Sequence, residues 1–128
     1  MTTITELDYR QVIDHICPDS FFTIDDNDYS TLIWDPNNTY TKPTESQIQA
    51  KNIELINIIA YDHLRIKRDE LLAETDKYTL SDFPHANDTI RNQWLNYRQA
   101  LRDITTQTPI INLETGEISG IIWPTQPS

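Results

Sequence analysis

Three short constellations contain residue types able to do chemistry. Asp26-x-Asp28-x-Ser30 opens like a calcium loop, in which alternating oxygen donors surround a hard cation. The pattern then breaks: Thr31 stands where the turn glycine belongs, and Asn37 where a bidentate glutamate is needed. An acidic hairpin tip explains these residues better. His15-x-Cys17 offers two zinc-type ligands, but only His63 and His85 remain to complete a tetrahedron, at no metal-site spacing. Asp62-His63 has the composition of a proton-transfer pair, yet adjacent residues on a helix do not face each other, so solvated helix surface is expected there. Cys17 lacks a basic neighbourhood beyond His15 that would make it a nucleophile. The two glycines cannot build a phosphate-cradling loop. No enzyme, no cofactor and no metal site is expected.

The elements around these residues are easier to read. Leu7 to Ile16 is a short helix with Val12, Ile13 and Ile16 on one face, stopped by Pro18. Phe21 to Ile24 reads as a strand, Asp25 to Asp28 as its turn and Tyr29 to Trp34 as the returning strand. Pro43-Thr44-Glu45-Ser46-Gln47 announces a long helix, with Thr44 and Gln47 spaced as a capping box. No proline or glycine interrupts Glu45 to Glu74, a length of about 45 Å at helical rise. Between positions 53 and 60 its apolar residues, Ile53, Leu55, Ile56, Ile58, Ile59 and Ala60, populate more than one face. A helix apolar on several sides must be contacted on several sides.

Arg68 to Ile104 organises the remainder. Thr75-Asp76 reads as the break of the long helix, Ser81-Asp82-Phe83-Pro84 carries the chain round, and Asn87 or Asp88 caps the next helix. In that helix Ile90, Trp94, Tyr97, Leu101 and Ile104 fall within roughly 40° of one line at the helical period. Arg91, Arg98 and Arg102 flank this seam and are expected to snorkel over it and pair with acids. A small hairpin around Glu114-Thr115-Gly116 is possible in the tail. Trp123-Pro124-Thr125-Gln126-Pro127 fits neither helix nor central strand, so Trp123 either docks back on the helices or anchors a partner.

These residues carry a resemblance. Leu71-Leu72-Ala73-x-Thr75-Asp76, a loop ending in Ser81-Asp82-Phe83-Pro84, Trp94-x-x-Tyr97-Arg98-Gln99-Ala100-Leu101-Arg102-Asp103 and a late Trp123-Pro124 resemble the phage tail assembly chaperone family, across about residues 65–127. Many members of that family carry a tryptophan directly after the Thr-Asp pair. Lys77-Tyr78 stands there in this chain, and Tyr78 is expected to take that space. The resemblance implies a small bacteriophage protein associated with tail fibres, acting by protein binding without turnover.

Composition narrows the partners. The net charge of −10 is uneven: residues 1–41 hold eight acids against Arg10 alone, and residues 42–128 hold twelve acids against nine bases. Such an acidic N-terminal part disfavours nucleic acid and anionic membrane as partners. No apolar run is long enough for a membrane span. The opening MTTITELDYR is polar and acidic, unlike a secretory signal, and a single cysteine permits no internal disulfide.

The expected fold is mostly α with a small β component (α+β): an N-terminal helix plus β-hairpin, a long helix, a shorter returning helix and an irregular tail. Residues 1–43 would form an acidic helix–hairpin module, and residues 44–128 the chaperone-like helical region. The expected function is assistance in tail fibre assembly or attachment, in the host cytoplasm. The alternative is a permanent adaptor retained in the virion tail, fibre or baseplate. The expected partner is another tail or fibre subunit, with a homo-oligomer possible. Candidate contact residues are Phe21, Phe22 and Trp34 on the hairpin and Ile53, Ile56 and Ile59 on the long helix. Trp94, Tyr97, Arg98, Arg102 and Trp123 complete the set in the C-terminal half.

Overall fold

The computed structural model describes residues 7–127. It is mixed and mostly helical, with three helices and two small antiparallel strand pairs. Helix α1 spans Tyr9–Ile16, strands β1 and β2 span Phe22–Asp25 and Asp28–Trp34, and helix α2 spans Glu45–Thr75. A short 3-10 helix, Asp76–Thr79, leads towards helix α3, Asp88–Arg102. A second 3-10 helix, Asp103–Thr106, precedes strands β3, Ile110–Ile111, and β4, Ile118–Ser119. The chain divides into two compact units, one ending at Ile58 and the other beginning at Ile59, so the division falls within α2.

In the first unit, α1 begins two residues later than its apolar pattern suggests. Asp8 caps it: its carboxylate accepts from the Arg10 backbone N–H, and the Gln11 side chain accepts from the Asp8 N–H. The hairpin turn is Asp26-Asn27, both at positive φ (50° and 58°), as the primed turns of two-residue hairpins require. The register pairs Phe22 with Trp34 and Thr23 with Ile33, then shifts at a bulge before Asp25 pairs with Asp28. Thr44 and Gln47 form the expected reciprocal cap of α2, with bonds of 3.1 and 2.9 Å. The core contains Val12 and Ile13 from α1, Ile24 and Leu32 from the hairpin and Ile48 from α2, with Leu55 packed against it. The Tyr29 hydroxyl donates to the Pro43 carbonyl at 2.7 Å, fastening the hairpin to the entry of α2. A lone hairpin is marginal in water, and here it gains its stability from these two helices.

In the second unit, α3 is capped by Asn87, whose side chain accepts from the Ile90 N–H. Ile104 falls beyond α3, in the second 3-10 helix, and is still buried. The core is Trp94, Tyr97 and Leu101 of α3 against Leu71 and Leu72 of α2, with Tyr78, Ile90 and Trp123 around them. Trp123 therefore docks back on the helices. The β3–β4 hairpin places Gly116 (φ 77°) over His63, where a Cβ would lie 3.1 Å from the imidazole. The positive φ favours glycine there, and the imidazole would have to give way slightly to a side chain.

Candidate partner-binding surfaces

The acidic hairpin tip is held together by itself. The Asp28 carboxylate accepts from the backbone N–H and hydroxyl of Ser30, at 3.0 and 2.7 Å. These bonds, with the hydroxyl bond contributing most, hold the Asp28 carboxyl below the usual carboxylate range. Cys17 is buried, which pushes its thiol pKa up, while neighbouring His15 is exposed. Asp62 pairs with Arg65, and His63 faces the Gly116 carbonyl at 3.0 Å. His63 is thus not the solvated surface residue expected from sequence, because the tail hairpin folds over it. Among the described residues, no group of three or more His, Cys, Asp or Glu side chains is placed to hold a metal ion.

The C-terminal half is built around an aromatic stack and a buried guanidinium. Tyr78 lies nearly parallel to Trp94, with ring centroids 3.9 Å apart and planes 15° apart. Phe83 meets Tyr78 edge-on from one side, and Tyr97 meets Trp94 edge-on from the other. Tyr78 reaches Trp94 because the 3-10 helix after Thr75 turns the chain back at once.

Arg98 is 6% exposed, and this corrects the expectation that it snorkels. Its Nη1 donates to the Leu72 carbonyl and the Thr75 hydroxyl, each at 2.7 Å, and its Nη2 to the Asp76 carboxylate at 2.6 Å. The physical reason lies in α2. Its last carbonyls have no helical partner, and a forked donor from α3 can satisfy several acceptors at once. The Thr75 hydroxyl, in turn, donates to the Leu71 carbonyl. Arg98 does meet an acid as expected, whereas Arg91 donates to the Leu80 and Phe83 carbonyls and so braces the loop. Arg102 is exposed, with no acidic partner among the described residues.

The remaining sequence candidates separate by unit. On the hairpin, Phe22 and Trp34 stack at 5.8 Å, half-buried against the core. Phe21 lies just before β1 and is 73% exposed. The Asn38 side chain braces its backbone, accepting from the Phe21 N–H and donating to its carbonyl. Strand alternation places Phe21 and Thr23 on the face shared by Ile33. Ile33 is 69% exposed and was not singled out from the sequence, although its place opposite Thr23 would have marked it once the register was known. On α2 in the same unit, Ile53 is exposed and Ile56 half-buried. In the second unit Ile59 is half-buried, Trp94, Tyr97 and Arg98 are buried, and Trp123 joins their cluster half-buried.

Fold and packing therefore define a small, mostly helical α+β protein whose most specific residues are tied into an aromatic and arginine-centred core. A family model described as phage tail assembly chaperone protein matches residues 61–128. The chain belongs to the phage tail assembly chaperone family, as the residues from Leu71 to Pro124 imply. No curated protein and no solved structure matches it. Family membership implies a role in phage tail assembly in the host and a non-enzymatic one. No helix of the described residues is long and apolar enough to cross a membrane.

Proposed function

We propose that the protein assists assembly or attachment of the phage tail fibre by binding a tail or fibre subunit without turnover. The observation carrying this reading is the pair of large apolar side chains, Phe21 and Ile33, left 73% and 69% exposed on one face of the hairpin. Together with Phe22, Trp34 and Pro36 from the adjoining edge of the hairpin they line a groove of about 510 Å³. Contiguous exposed apolar surface on a polar protein commonly marks an interface. Ile53, 61% exposed on α2, would extend the contact within the first unit. Trp94, Tyr97, Arg98 and Trp123 would then act by holding the fold of the second unit, where Arg102 stays exposed.

Capture of tail and fibre subunits by the immobilised full-length chain tests the proposal. Phe21→Ser with Ile33→Ser should leave the melting temperature nearly unchanged and lose the captured subunit. Retention of the subunit by that variant would remove the hairpin from the interface. Mass spectrometry of purified particles separates assistance from permanent residence: absence supports the chaperone role, and a stoichiometric band the virion adaptor.

A further inference from the structure

A second concave surface lies in the first unit, where the C-terminal end of α1 meets the entry and first turns of α2. It encloses about 720 Å³, within the range of about 300–1,000 Å³ typical of ligand sites. Ile16, Tyr40 and Ala50 supply its apolar surface, with the buried Cys17 and Pro43 beneath them.

Its charge is opposite to that of its surroundings. Residues 1–58 carry ten acids and three bases, Arg10, Lys42 and Lys51. Two of those three bases, Lys42 and Lys51, line the cleft, and Glu54 is the only acid that does. Glu54 is already paired with Lys51 at 3.3 Å. Lys42 has no carboxylate partner among the described residues; its ammonium lies 5.2 Å from the centre of the Tyr29 ring. An otherwise acidic unit thus concentrates its cations at an apolar cleft. Complementary charge selects partners and orients their approach, while the surrounding acids repel an extended polyanion such as nucleic acid.

We propose that this cleft binds a peptide segment of a tail protein in which an Asp or Glu stands beside an apolar side chain. The carboxylate meets Lys42 and Lys51, and the apolar side chain rests on Ile16, Tyr40 and Ala50. The proposal rests on the chaperone reading and adds to it the chemistry of the recognised segment.

The test uses the full-length chain and an array of overlapping short peptides covering the tail proteins of the same phage. Bound peptides should carry Asp or Glu flanked by apolar residues. Lys42→Glu with Lys51→Glu should weaken the best of them at least about tenfold. Lys67→Glu, an exposed charge reversal outside the cleft, should leave it bound. Should the double reversal unfold the protein, Lys42→Gln with Lys51→Gln must show the same loss. The proposal is overturned if no peptide binds, if the bound peptides are basic or uncharged, or if Lys67→Glu weakens binding as much as the cleft variant. Capture of whole tail subunits keeps the two readings apart. If no acidic peptide binds while the parent captures a subunit, the cleft is excluded and the chaperone reading stands; if the parent captures none, the chaperone reading fails.

Discussion

Replacing Arg98 with methionine keeps the aliphatic stem and removes the guanidinium that ties α3 to the end of α2. Two of its bonds go to the Leu72 carbonyl and the Thr75 hydroxyl in buried surroundings. Hydrogen bonds to a charged group contribute about 1.5–3 kcal/mol each. The third reaches Asp76, whose side chain is 67% exposed, so solvent screening reduces that ion pair to about 0–1 kcal/mol. Against these stands the buried Arg98 Nε, which has no partner and costs about 1–3 kcal/mol. The midpoints of these contributions predict a loss of about 3 kcal/mol for Arg98→Met and under about 1 kcal/mol for Asp76→Asn. Urea unfolding followed by far-ultraviolet circular dichroism and tryptophan fluorescence measures both, provided the urea dependence keeps the same slope. The reasoning fails if Asp76→Asn costs as much as Arg98→Met, because the exposed ion pair would then dominate the buried carbonyl and hydroxyl bonds. It fails equally if Arg98→Met unfolds at the parent's midpoint.

Trp94→Ala should cost about 3–5 kcal/mol, as large aromatic truncations in cores do, and a melting temperature within a few degrees of the parent would contradict its 8% exposure. Asp28 should titrate below the ordinary carboxylate range by NMR, and Ser30→Ala should move it back up, since the Ser30 hydroxyl is the leading cause of the shift. Because the folded pKa is the lower one, any stability this group contributes is present above the unfolded value and lost as pH falls through the folded value; an unchanged Asp28 titration in Ser30→Ala would refute the assignment. Cys17 should react with iodoacetamide at least about tenfold more slowly in the native protein than in urea at pH 8, since burial both shields the thiol and raises its pKa; equal rates would show an open thiol.

Much of the local structure was legible in the residues themselves. Thr44 and Gln47 mark the start of α2 because a capping box needs only residues three apart. The seam from Ile90 to Leu101 marks the packed side of α3 because helical period and apolar chemistry repeat together. The Leu71–Asp76 and Trp94–Asp103 motifs also pointed to the family, because they join the end of one helix to the core face of the next.

Contacts between residues distant in the chain had no such local signal. Nothing near Arg98 announces that its fork closes the open end of α2, since the acceptors lie 22 to 26 residues earlier. His63 reads as surface until the β3–β4 hairpin brings Gly116 against it from 53 residues away. Ile33 becomes an exposed apolar residue only once the hairpin register sets which face packs on α1 and α2. The clustering of Lys42 and Lys51 at one cleft likewise depends on how α1 meets the start of α2. Periodicity and capping are properties of neighbouring residues, so the sequence alone determined the elements and the buried faces of α1 and α3, but not that of α2, where Ile53, Ile58 and Ile66 stay exposed. Which polar group meets which acceptor, and which apolar side chain is left in water, depends on packing between elements, and only the tertiary structure decided it.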